Sequence, residues 1–221
     1  MLPRTIAGRI GVTAVAIVAV VVGAVILLIS RSDTDGPDRA SADASAPAVV
    51  RADSHRLNSP PDAAVTFVEF LDFECEGCRA AYPVVEQLRT DYGDRVEFVL
   101  RYFPLPGHVN GERAARAVEA AAQQGRLEAM YRTMYETQAQ WGERRTPADD
   151  VFRGFAVELG LDMAAFDAAY ADPATAERIQ VDVNDGMALG VQGTPTFFVN
   201  GEQVSPRSVD DLRTAIENGL R

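Results

Sequence analysis

The hydrophobic positions divide this chain into stretches of different period. The first, Ile10–Ile29 (IGVTAVAIVAVVVGAVILLI), is apolar all round and carries no charge. At 1.5 Å of rise per residue such a run spans about 30 Å, the thickness of a bilayer's hydrocarbon core. It predicts one transmembrane helix behind a short N-terminus, residues 1–9. A cleaved signal peptide is the alternative, but its apolar region is usually about 7–15 residues with a small-x-small site directly after it. Here Ser30, Arg31, Ser32 and Asp33 follow instead. Arg4 and Arg9 flank the block on one side and Asp33, Asp35 and Asp38 on the other. Positive charge stays inside, so the N-terminus is expected in the cytoplasm and the rest of the chain outside it, in a single pass of the cell membrane. Residues 30–61 show no period and are rich in Ser, Asp, Ala, Pro and Arg; they read as a flexible linker with His55 solvated within it.

Beyond the linker a domain is expected over residues 62–221. The segment from Ala64 to Leu71 (AVTFVEFL) is short, β-branched, aromatic and almost continuously apolar, the pattern of a buried strand. Residues from about Gly77 to Arg89 place Ala81, Val84, Val85 and Leu88 at helical spacing, with Pro83 expected to bend the helix. A turn at 91–94 leads to a second strand, Val96 to Tyr102, giving a β-α-β unit with parallel strands. From about 110 to 189 the period is helical, with room for three to five helices. Asn110, Thr146-Pro147 and Asp172-Pro173 look like N-terminal caps, and Gly125 like a helix stop. Met130, Tyr131, Met134, Tyr135, Phe152, Phe155, Phe166 and Tyr170 read as the core of this part rather than a ligand site. Strand character returns at Thr196–Val199. Asn200-Gly201 then signals a tight hairpin into Gln203 and Val204. Ser208 can cap a last helix with Val209, Leu212 and Ile216 on its inner face. The fold class is α/β.

A chain of 221 residues has room for one such domain and its attachments. The formal net charge is -11, and all 21 basic residues are arginine. A surface this acidic repels nucleic acid and anionic membrane, and the scattered acids read as solubility rather than a substrate signal. There are two cysteines and two histidines. A structural zinc needs about four ligands, so the cysteines call for another explanation.

Cys75-Glu76-Gly77-Cys78 stands where a buried strand gives way to a helix, which puts the first sulfur at a helix N-terminus, where a thiolate is stabilised. The second cysteine lies one turn on and can resolve a mixed disulfide. A purely structural disulfide closing so small a loop would restrain the unfolded chain little. Glu69 interrupts the buried strand. Burial raises a carboxyl's pKa toward the range useful for passing protons to and from Cys78; a carboxylate paired with an arginine or reaching solvent at the sheet edge is the competing explanation.

These residues resemble the DsbA-like thioredoxin-fold oxidoreductases, especially their membrane-tethered bacterial members. The likeness rests on FVEFLDFECEGC (Phe67 to Cys78), YFPLPGH (Tyr102 to His108), the helical insertion and GVQGTPTFFVNG (Gly190 to Gly201). It implies a thioredoxin fold with a helical insertion at about 110–189. It further implies that Pro195 is a cis proline facing the redox pair, that the backbone at Thr194 pairs with an extended substrate peptide, and that Glu69 is the family's buried acid. His108 stands where relatives often have histidine, and packing is its expected role. The implied activity is a thiol-disulfide exchange that donates disulfides to exported proteins, with a DsbB-like or vitamin K epoxide reductase-like quinone-linked partner for reoxidation. No organic cofactor is implied, and a monomer is expected. A reductase or isomerase of the same fold, and a peptide-binding module that merely retains the cysteines, are the alternatives. The Glu-Gly dipeptide between the cysteines departs from both DsbA and thioredoxin. Asp72, Glu74 and Glu76 nearby are expected to disfavour the Cys75 thiolate and make a milder oxidant than DsbA.

Overall fold

The computed structural model describes residues 47–221. The expected cytoplasmic N-terminus, the transmembrane span Ile10–Ile29 and the first part of the linker lie outside the described residues. Among those described, no helix is long and apolar enough to cross a membrane.

Five strands form one sheet: β1 (His55–Arg56), β2 (Val65–Leu71), β3 (Val96–Tyr102), β4 (Thr196–Val199) and β5 (Glu202–Val204), in the order β1-β3-β2-β4-β5. β2 and β3 are parallel and joined by helix α1 (Glu76–Tyr92), as the β-α-β reading requires; the other neighbours are antiparallel. β2 is central and buried on both faces. Phe67 and Leu71 belong to the larger core, with Val85, Leu88, Phe98 and Ile216. Val68 and Phe70 belong to a second cluster on the opposite face, with Val99, Phe103 and Phe198. Alternation along the strand puts Glu69 on the same face as Phe67 and Leu71, toward the larger core.

Between β3 and β4 come five helices: α2 (Gly111–Ala122), α3 (Leu127–Trp141), α4 (Asp149–Glu158), α5 (Met163–Ala171) and α6 (Pro173–Ala188); α7 (Val209–Gly219) closes the chain. The expected aromatic and methionine core is buried, with Tyr170 only partly so. Asp172 caps α6 by accepting from the N–H of Ala174, with Pro173 in the first turn. Ser208 and Asp211 form a reciprocal capping box on α7. Asn200 and Gly201 take φ of 50° and 84° in the hairpin between β4 and β5, the left-handed pair that this turn needs.

Several expectations are corrected. The linker was expected to run to residue 61, yet residues 47–61 are part of the domain. His55 and Arg56 add an edge strand opposite Leu100 and Val99 of β3. The Asn58 side chain donates to the carbonyls of Gly93 and Val96 and accepts from the N–H of Phe98 at 2.7 Å. Arg101, fully buried, donates to the carbonyls of Ala48 (2.8 Å) and Val49 (2.7 Å). Polar bonds to a sheet edge order this segment, and no apolar period reports them. His55 is accordingly not solvated but sits 2.6 Å from Glu119 through Nε2. Asn110 stands at the N-cap of α2 but makes no side-chain capping bond; its buried side chain accepts from the N–H of Ala148 and donates toward the carbonyl of Thr146, fastening the loop before α4. Thr146 does not cap a helix either, because α4 begins two residues after Pro147. Val209 is exposed at the start of α7, leaving Leu212 and Ile216 as its buried face.

Candidate active site

β2 stops at Leu71 and α1 starts at Glu76, so residues 72–75 make an elbow that delivers Cys75 to the helix N-terminus. The Asp72 carboxylate folds this elbow by accepting the N–H of Glu74 at 2.8 Å, and the Asp72 carbonyl accepts the N–H of Cys75 at 3.1 Å. Gln138 of α3 holds it from behind, donating to the carbonyls of Phe73 (2.7 Å) and Cys75 (3.0 Å). Cys75 is half-buried and Cys78 fully buried, and both are free thiols in this structure.

The two sulfurs are very unequal acids. The Cys75 thiol is pulled from 9.0 down to about 5, first by a hydrogen bond from Cys78; Thr194 and the N–H groups of Cys78 and Gly77 also favour the thiolate, while burial opposes it. Cys78 moves the other way. Burial pushes it well above the usual thiol range, aided by its hydrogen bond to Cys75 and the negative charges of Glu69 and Cys75.

Thr194 lies against the Cys75 sulfur, its carbonyl accepting from the thiol at 3.3 Å. Its buried hydroxyl has no other hydrogen-bond partner, which leaves it free to donate to a thiolate. The Thr194–Pro195 peptide is cis. A Cβ on Gly77 would stand 3.2 Å from Pro195 Cδ and 3.5 Å from Cys75 Sγ. Glycine at the second position of the dipeptide therefore allows the close approach of the Thr194–Pro195 loop to the sulfur.

Glu69 lies below this arrangement. It is buried, its Oε1 has no hydrogen-bond partner among the described residues, and burial raises its carboxyl from 4.5 to about 8, with the charges of Cys75 and Glu86 adding to the effect. Among the described residues no arginine partners that oxygen. Around it stand Tyr131 and Tyr135 of α3, whose buried hydroxyls also lack partners; their rings pack on Phe73 and Tyr82.

The acidic residues near Cys75 act differently from what their spacing suggests. Glu76 points to solvent, but Asp72 and Glu74 are buried and bonded. Asp72 Oδ2 accepts from the N–H of Leu105 (2.8 Å) and from Nδ1 of His108 (2.6 Å), while Glu74 accepts from the N–H groups of Asn110 (2.6 Å) and Glu143 (3.1 Å). With donors supplied to both carboxylates and to the sulfur itself, the expected loss of thiolate stability is outweighed. Gln138, Asn110 and the tyrosines of α3 were missed as site residues, since they reach the elbow from positions more than thirty residues away in sequence. Among the described residues no three His, Cys, Asp or Glu side chains converge as a metal site.

The sequence model of the thioredoxin family matches residues 58–218. The chain belongs to the thioredoxin family. Its DsbA-like fold recurs in solved structures. A thioredoxin-like oxidoreductase from Silicibacter pomeroyi DSS-3 is 29% identical with a TM-score of 0.63, covering 76% of this chain and 92% of that one. BdbD from Bacillus subtilis in its oxidised form has a TM-score of 0.67 at 21% identity, again over 76% and 92% of the two chains. Curated relatives also match this thioredoxin-family chain. They include proteins named Na(+)/H(+) antiporter NhaA from Herminiimonas arsenicoxydans, 38% identical over 158 residues, and NhaA 1 from Salinispora arenicola, 41% identical over 152 residues. The match takes in 72% and 68% of this chain but only 24% and 22% of those proteins. The chain thus spans about a quarter of the length of the curated relatives it matches.

Proposed function

We propose that this protein is a thiol-disulfide oxidoreductase that works as a dithiol oxidase outside the cytoplasm. The observation that carries the reading is the inequality of the two sulfurs, Cys75 drawn down to about 5 and Cys78 pushed well above the usual thiol range. A stabilised Cys75 thiolate favours the reduced pair, which makes the disulfide a ready oxidant.

In the reaction a substrate thiolate attacks Cys75 of the disulfide. The Cys75–Cys78 bond breaks, a mixed disulfide forms on Cys75, and the electron pair goes to Cys78. Cys78 is a strong base and takes a proton, for which the protonated Glu69 carboxyl is the buried source. A second substrate thiolate then attacks the substrate sulfur of the mixed disulfide and releases Cys75 as its stable thiolate. The substrate dithiol leaves as a disulfide, and the protein leaves reduced by two electrons. An extended substrate chain would align along the backbone at Thr194, beside Pro195.

The setting is part of the proposal. The apolar run Ile10–Ile29, with arginines before it and aspartates after it, supports a single membrane span with the redox domain outside. An antiporter works across a membrane, so a domain of this kind within longer antiporter chains fits a role beside one. The substrates would be exported proteins with free thiols, and a quinone-linked membrane partner, DsbB-like or vitamin K epoxide reductase-like, would restore the disulfide. The deciding experiment is the reduction potential of the full chain in glutathione buffers, with Cys75→Ser as control. A value near about -120 mV supports the oxidase, one near about -270 mV a reductase, and the absence of a reversible couple the peptide-binding module.

A further inference from the structure

Two carboxylates, Asp72 and Glu74, are fixed within three residues of Cys75, and on their own they would work against its thiolate. The loop after β3 brings one cation to them. His108 is about three-quarters covered and meets Asp72 through Nδ1 at 2.6 Å, while Asp72 is fully buried and also receives the N–H groups of Glu74 and Leu105. The Asp72 backbone reaches the redox pair directly: its carbonyl accepts the N–H of Cys75, and its N–H is hydrogen-bonded toward the Cys78 sulfur. One buried carboxylate therefore joins the histidine to the elbow that carries both sulfurs.

We propose that His108 is a positioning residue for disulfide exchange, acting through Asp72 to fix the Cys75 elbow and to supply the positive charge that offsets Asp72 and Glu74. The inference rests on the oxidoreductase reading, though its test does not depend on the direction of electron flow. Burial opposes the charged ring, but the bond to Asp72 and the negative charges of Asp72, Glu74 and Cys75 prevail and raise the His108 pKa above 6.5. Cys75 ionises near 5, so the histidine stays charged through that transition. Glu112 of α2 and Glu177 of α6 line the same groove of about 590 Å³ as His108.

The test is a pH titration of the Cys75 thiolate, by its ultraviolet absorbance, in the reduced full chain and in His108→Asn and His108→Ala. Asparagine can place a donor close to Nδ1 and keep the bond to Asp72, but it carries no charge. In His108→Asn the midpoint should rise by about half to one pH unit, with about 3- to 10-fold less thiolate below it. His108→Ala should show the same rise together with a lower unfolding midpoint; if it does not fold, His108→Asn carries the test. An unshifted midpoint in His108→Asn overturns the proposal and leaves the pair as a packing contact. Failure of the oxidoreductase reading would show separately, as a wild-type chain with no reversible couple in glutathione buffers.

Discussion

Replacing Glu69 by glutamine should make the reduced protein more stable at neutral pH and not at acidic pH. The carboxyl moves from 4.5 in water to about 8 in the folded, reduced chain, mainly because burial penalises its charge. The folded state therefore binds the proton more tightly than the unfolded state does. Its contribution is fully present below about pH 4.5 and is lost as pH rises through about 8. A shift of this size corresponds to about 4–5 kcal/mol in full and about 3 kcal/mol at pH 7. Cys75 runs the opposite way: its folded pKa lies below the unfolded one, so its thiolate adds stability as pH rises above about 5, by an amount discounted because the sulfur is half-exposed. The wild-type profile mixes the two slopes, whereas the difference between wild type and Glu69→Gln reports the carboxyl together with its coupling to Cys75. Urea unfolding of both reduced proteins from about pH 4.5 to 8 measures it. The variant's advantage should be near zero at the acid end and reach a few kcal/mol at the other. A difference that stays flat across this range would refute the reasoning, because it would mean that Glu69 titrates as it does in water.

Three further outcomes are expected. Thr194→Val removes the buried hydroxyl beside Cys75, so the thiolate midpoint should rise by about half to one pH unit in the same ultraviolet titration. Gly186→Ala puts a Cβ 2.7 Å from the Phe103 ring and 3.1 Å from Phe70; α6 would be forced off the sheet, and denaturant melts should show a loss of about 1–3 kcal/mol. Arg101→Met leaves the carboxylates of Asp182 and Asp185 without the guanidinium that bonds both of them. Arg51 still pairs with Asp185 and Arg178 with Asp182, so thermal unfolding should report a loss of about 1–3 kcal/mol.

The redox pair and its frame were legible because their signals are local. A strand run ending at Leu71, two cysteines one turn apart and Gly-Thr-Pro-Thr before a second strand each announce themselves within a dozen residues. The identity of the core was legible too, since helical spacing alone buries Met130, Met134, Phe152 and Phe166. What escaped was polar and distant. His55, Asn58 and Arg101 fold the supposed linker onto β3 with hydrogen bonds, and hydrogen bonds leave no period in a sequence. Asn110 looked like a cap because it precedes a helix, but its amide is spent on the loop before α4. For the acids beside Cys75, sequence distance cannot tell a bare carboxylate from one already facing N–H groups and a histidine.

Gln138 has a consequence for how the molecule opens. Its amide joins the last turn of α3 to the carbonyls of Phe73 and Cys75, while the N–H groups of Asn110 and Glu143 close on Glu74. The redox turn is thus bolted to the helical insertion at the start of α2 and at the C-terminal end of α3, and neither can come loose alone. In native-state hydrogen exchange the amides of residues 73–75 should share the opening free energy of α3 instead of that of a surface loop. The cysteines would then ride on a cooperative unit, keeping their geometry until the insertion itself unfolds.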